Sequence, residues 1–149
     1  MSKPKSERFK VLQKLAGRHE DLAAQKLGLS VGNLEAQRSR LIELQKFREE
    51  YTQQFYQSGS SGINSIAMQS FQQFIAQIDV AIQQQKQTVG LAEQDHSHKK
   101  HTWVGKHKET RIYDKTIERF VETEQNEIEK REQVEIDDRN NAHLKVKEP

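Results

Sequence analysis

The sequence predicts an all-α fold: a long antiparallel two-helix coiled coil, or helical hairpin, whose second helix is longer than its first. Three observations predict it. The only prolines, Pro4 and Pro149, stand at the ends and leave 144 consecutive residues without one, whereas loop-rich and sandwich folds need turn residues about every dozen positions. Apolar residues recur at steps of three and four, the spacing of a coiled-coil seam. The only cluster of breaking residues is Ser58-Gly59-Ser60-Ser61-Gly62.

The first helix is expected over 7–57. Leu15, Leu22 and Leu29 recur every seven residues, and Leu27, Leu34 and Leu41 continue on a shifted line to Phe55, with Leu44 and Tyr51 beside it. A change of line is a stutter. Gly28 and Gly32 lie where the lines exchange, so the helix is expected to bend or loosen there, each glycine costing about 1 kcal/mol relative to Ala. The turn is placed at 58–62 and the second helix at 63–142, with a flexible tail at 143–149. One seam line of the second helix is Ile75, Ile82, Val89, His96, Trp103, Thr110 and Ile117; the other runs Phe71, Ile78, Gln85, Ala92, Lys99, Lys106, Tyr113, Phe120. Two long helices joined by a short break lie side by side. Folding about residue 60 pairs position n with about 120 − n and leaves residues beyond about 115 without a partner.

Composition agrees with a thin, polar assembly, read as a single coiled-coil domain over 1–149. Hydrophobic residues are 33% and charged residues 31% of the chain, with mean hydropathy −0.98, against roughly 45–50% apolar in ordinary globules. There is no cysteine, which excludes disulfides, thiolate metal sites and a cysteine nucleophile and permits a reducing compartment. A net charge of +2 is too even to advertise nucleic acid. No apolar run is long enough for a transmembrane segment, and the basic N-terminus lacks the apolar stretch of a secretory signal.

Candidate chemistry is sparse. His96, His98, His101 and His107 cluster with Lys99 and Lys100, but only His98 and His101 have the spacing of a helical metal site, so the stretch reads as solvated helix. Lys3, Lys5, Arg8 and Lys10 form a basic arm before a leucine repeat, the order found in bZIP proteins, yet the charges are spread out and broken by Glu7. No specific nucleic-acid binding is expected. There is no phosphate loop and no Ser/His/Asp arrangement, so neither enzymatic activity nor a cofactor is expected. Trp103 reads as a seam knob, with a partner anchor as its functional alternative.

The chain resembles the FliJ family, small proteins of the bacterial flagellar type III export apparatus. The resemblance rests on Arg8-Phe9-Lys10-Val11-Leu12-Gln13-Lys14-Leu15-Ala16, Leu44-Gln45-Lys46-Phe47-Arg48-Glu49-Glu50-Tyr51 and the Gly/Ser turn. It continues in Phe71-Gln72-Gln73-Phe74-Ile75, in Thr102-Trp103 to Arg111, in Tyr113 to Phe120 and in the Glu/Arg-rich tail. The resemblance implies a non-catalytic stalk like the central subunit of rotary ATPases. It also implies association with the hexameric flagellar export ATPase, coupling to the membrane export gate protein, and handling of export chaperones. The implied location is cytoplasmic, peripheral at the cytoplasmic face of the inner membrane, with the chain monomeric alone. The faces around Leu44, Phe47, Tyr51 and around Phe74, Ile78, Ala81, Gln85 come together near the turn. Two aromatics per helix exceed what one two-stranded seam buries, and the surplus is expected to form a partner-binding patch. The rival reading is a self-associating scaffold protein, using Ile117, Phe120 and Val134 on the end without a partner.

Overall fold

A computed structural model describes residues 3–59 and 62–147, with side chains through Leu144. Two helices account for nearly all of them: α1 over Lys5–Ser58 and α2 over Ser65–Lys147. α2 is the longer, they pack antiparallel, and no strand occurs among the described residues. Each boundary has a local cause. At the start of α1 the Pro4 carbonyl accepts the Arg8 N–H at 3.2 Å, so the helix begins earlier than residue 7. At its end the Gly59 N–H still reaches the Phe55 carbonyl, and the Gly62 N–H bonds back to Gly59, both at 3.0 Å. Gly62 has φ of +114°, a conformation that side chains disfavour and glycine accepts. Asn64 then caps α2, its Oδ1 accepting the Ala67 N–H at 2.7 Å. The cap explains a start at Ser65 rather than 63. At the far end α2 continues through Lys147, beyond 142; of the expected tail, 148–149 lie outside the described residues, as do 60–61 of the turn.

Gly59 has a second constraint. A Cβ there would collide with Ile63 Cγ1 and sit 3.2 Å from the Phe55 carbonyl oxygen. Gly59→Ala is expected to lower stability by about 1–3 kcal/mol, read as a drop in thermal midpoint with helicity retained at low temperature. An unchanged midpoint would show that the turn is not tightly packed.

The later start of α2 also shifts the pairing. Phe55 faces Phe71, Arg48 faces Asp79, Glu20 faces His107 and Ser6 faces Glu124; their numbers add to between 126 and 130 rather than 120. The midpoint of pairing thus lies three to five residues beyond 60, a displacement that is doubled across each pair. The expectation that residues beyond about 115 lack a partner is therefore corrected: pairing reaches Glu124.

The chain divides into two compact units, residues 23–103 and residues 1–22 with 104–149. In the turn-containing unit the core is thin. Leu34, Val89 and Ala92 cluster with Leu41 against them, and Phe71, Ile78 and Ile82 are also buried. In the other unit Ala16 and Ile117 are buried, and the Phe9 ring lies 6.4 Å from Tyr113 and 5.0 Å from Phe120. Ile117 and Phe120 are thus not free for self-association, although Val134 is exposed.

The stutter is absent. The protected positions of α1 include Ser6, Phe9, Gln13, Ala16, Glu20, Ala23, Leu27, Ser30, Leu34, Gln37, Leu41, Leu44, Arg48, Tyr51 and Phe55, an unbroken alternation of three and four, with only Gly17 and Thr52 half-buried beside it. The line of Leu27 and Leu34 simply runs back through small and polar residues. Leu15, Leu22 and Leu29 face outward instead. Their hydrophobicity suggested the wrong stripe because the true one is nearly hidden: Ser30 satisfies its hydroxyl on the Leu27 carbonyl at 2.7 Å, and Ala16 and Ala23 are buried because they are small.

Polar groups complete the unit formed by residues 1–22 and 104–149. The Ser6 N–H and Oγ–H donate to the two Glu124 carboxylate oxygens at 3.1 and 2.7 Å, so α2 caps α1 with a negative charge where the helix dipole favours one. These bonds hold the Glu124 carboxyl below its ordinary range. Glu20 Oε1 lies 2.6 Å from His107 Nδ1; a carboxylate only accepts, so Nδ1 carries the proton. Hydrogen bonds from His107 and then Thr110 lower the Glu20 carboxyl. A carboxyl whose folded pKa is depressed stabilises above its unfolded pKa, and that contribution is lost as pH falls through the folded value. The hairpin is accordingly expected to melt lower below about pH 4 than at neutrality. Glu124→Gln should shrink the difference between melts at the two pH values, and an acid-insensitive melt would contradict the role given to these bonds.

Candidate partner-binding site

The turn-containing unit gathers aromatic rings from both helices. Along α1, Phe47, Tyr51 and Phe55 follow each other at four-residue steps, about one turn each; Phe71 and Phe74 lie on the facing turns of α2. Tyr51 is 4.4 Å from Phe74 between ring centroids and stacks on Phe71 at 5.7 Å, while Phe55 stacks on Phe71 at 4.0 Å. Phe47 touches Tyr51 at 6.4 Å and meets Phe74 edge-on at 6.1 Å. Offset and edge-to-face pairs of this kind contribute about 0.5–1.5 kcal/mol each beyond area burial, so the cluster fixes the rings rigidly.

The expected site residues divide by exposure. Ile78 is 6% exposed and belongs to the core, whereas Phe47 is 48% exposed. Leu44, Tyr51, Phe74, Ala81 and Gln85 are half-buried. Of the expected rings Phe47 is therefore the one the seam does not cover; Tyr56, 58% exposed and edge-on to Phe71 at 5.9 Å, is a further uncovered ring nearer the turn. Phe47 borders an open groove of about 350 Å³ lined also by Arg40, Glu43, Leu44 and Gln85. Gln85 is held in place because its amide donates to both the carbonyl and the Oε1 of Gln37, each at 2.9 Å. Trp103 is not part of this cluster. It is half-buried on α2, 18 residues beyond Gln85, roughly 27 Å along the helix.

Some contributors were not legible in the sequence. Arg40 and Glu43 line the groove as ordinary surface residues of a charged helix, with no pattern to single them out. Arg48 occupies a seam position and pairs with Asp79, Nε to Oδ1 at 2.6 Å and Nη2 to Oδ2 at 3.3 Å. Those bonds lower the Asp79 carboxyl and raise the Arg48 guanidinium. The two-pronged geometry orients the helices next to Tyr51, and pairing about residue 60, which set residue 48 opposite 72, hid it in the sequence. The histidine stretch forms no group of three metal-binding side chains among the described residues, and no helix of the described residues is long and apolar enough to cross a membrane.

The arrangement offers a rigid, partly apolar surface with no enclosed cavity, suited to docking another protein. In comparison with known proteins, the family model described as the flagellar FliJ protein matches residues 5–145. No curated protein and no solved structure matches the chain.

Proposed function

Because the chain belongs to the flagellar FliJ protein family and is thereby a component of the flagellar export apparatus, we propose that it acts there as a non-catalytic stalk that docks through the aromatic patch near its turn. In this reading it associates with the hexameric export ATPase, couples it to the membrane export gate protein and escorts export chaperones. It would work in the cytoplasm, at the inner face of the membrane, and ATP chemistry would belong to the ATPase.

The observation that carries the reading is Phe47. A half-exposed ring on a rigid aromatic cluster beside a groove is the kind of anchor that dominates interface energetics. Leu44, Ala81 and Gln85 form the surrounding surface that excludes water, with Tyr51, Phe74 and Ile78 behind it. Pull-down of the purified chain against the export ATPase and against the gate protein tests the reading. Capture of either one, lost with Phe47→Ala, is expected; capture of neither would contradict it.

A further inference from the structure

The outward line of α1 in the unit formed by residues 1–22 and 104–149 is unlike the polar back of an ordinary surface helix. Val11, Leu15 and Leu22 are 69%, 49% and 54% exposed, with Leu12 beside them. They lie opposite the positions that face α2, namely Ser6, Phe9, Gln13, Ala16 and Glu20. Cations outnumber acids around the stripe: Arg8 lies on one flank, Lys14 on the other and Arg18 on the line itself between Leu15 and Leu22, with Glu7 and Asp21 on the Lys14 side. Neither Lys14 nor Arg18 has a carboxylate partner among the described residues.

We propose that this outer face of α1 binds the surface of an anionic lipid bilayer. A helix with aliphatic residues on one arc and Lys/Arg around it lies in the headgroup boundary, where burial of the aliphatics and attraction of the cations to acidic headgroups add. Arg18 decides between this occupant and a partner helix. A third coiled-coil strand laid along Val11, Leu15 and Leu22 would have to bury the Arg18 guanidinium in its seam, at a desolvation cost unless it brought a carboxylate to that position as Asp79 does for Arg48. At a bilayer the same side chain buries its methylenes and extends its charge to the phosphates. The proposal uses residues separate from the aromatic patch, and its test contains no export protein, so its failure would leave the docking reading untouched.

The test is sedimentation of the full chain with vesicles of phosphatidylcholine alone and of phosphatidylcholine mixed with phosphatidylglycerol. Partition into the mixed vesicles only, weakening as salt is added, is expected. Near an anionic surface each cation contributes about fivefold in affinity, so Arg18→Glu, a change of two charges, should weaken partition by roughly twenty-five-fold. Leu15→Gln combined with Leu22→Gln should abolish most of it while the melt stays unchanged, since both side chains are outside the packed face. Absence of partition at low salt, or partition that the double variant retains, overturns the proposal and leaves the stripe to a helical protein partner.

Discussion

Phe47→Ala is expected to weaken binding to the export machinery about thirtyfold or more, because truncating an interface anchor costs about 2 kcal/mol or above. The thermal midpoint should move by only a few degrees. Phe47 keeps about half of its surface in water, and its ring contacts to Tyr51 and Phe74 lie at the edge of the cluster. Calorimetric titration and a melt on the same preparation separate the two effects. A large loss of stability with affinity preserved would place Phe47 in the core instead.

Leu34→Ala should do the reverse. Leu34 is 6% exposed and packs with Val89, Ala92 and Leu41 in a core only one layer thick. Removing its side chain leaves a cavity costing about 2–5 kcal/mol, which for a chain of this size lowers the midpoint by roughly 4–20 °C. Affinity for partners, measured well below that midpoint, should be unchanged. The effect is at the upper end where neighbours cannot collapse inward, and here helices stiffened by unbroken backbone bonding limit such relaxation. A small shift would mean that the hairpin is held chiefly by its ends.

How far the fold could be read from sequence depended on how strongly each stripe contrasted with its surroundings. The α2 seam was legible because Phe71, Ile78, Ile82, Val89 and Ile117 keep one period, and these residues are buried. The first half of α1 misled for a physical reason. Close packing there favours Ala16, Ala23, Ser6 and Ser30 at the interface, whose burial follows from small size and satisfied hydroxyls, while the large leucines are outside. The pairing offset also escaped, because it depends on an Asn64 cap and a glycine geometry that only the backbone reveals. Of the aromatic patch, the convergence of Phe47, Tyr51 and Phe74 was readable from helical spacing and the position of the turn. Which ring stays exposed was not, since that depends on the rotation of each helix about its axis.

Hydrogen exchange on the full chain, free and mixed with the export ATPase or with the gate protein, reads out whether the turn-proximal aromatic face is the docking surface. Added protection is expected at residues 43–51 and 74–85 with at least one of these partners, and none in that window for Phe47→Ala. Strong binding that protects only residues 104–144, leaving the aromatic face as it is in the free chain, would contradict it.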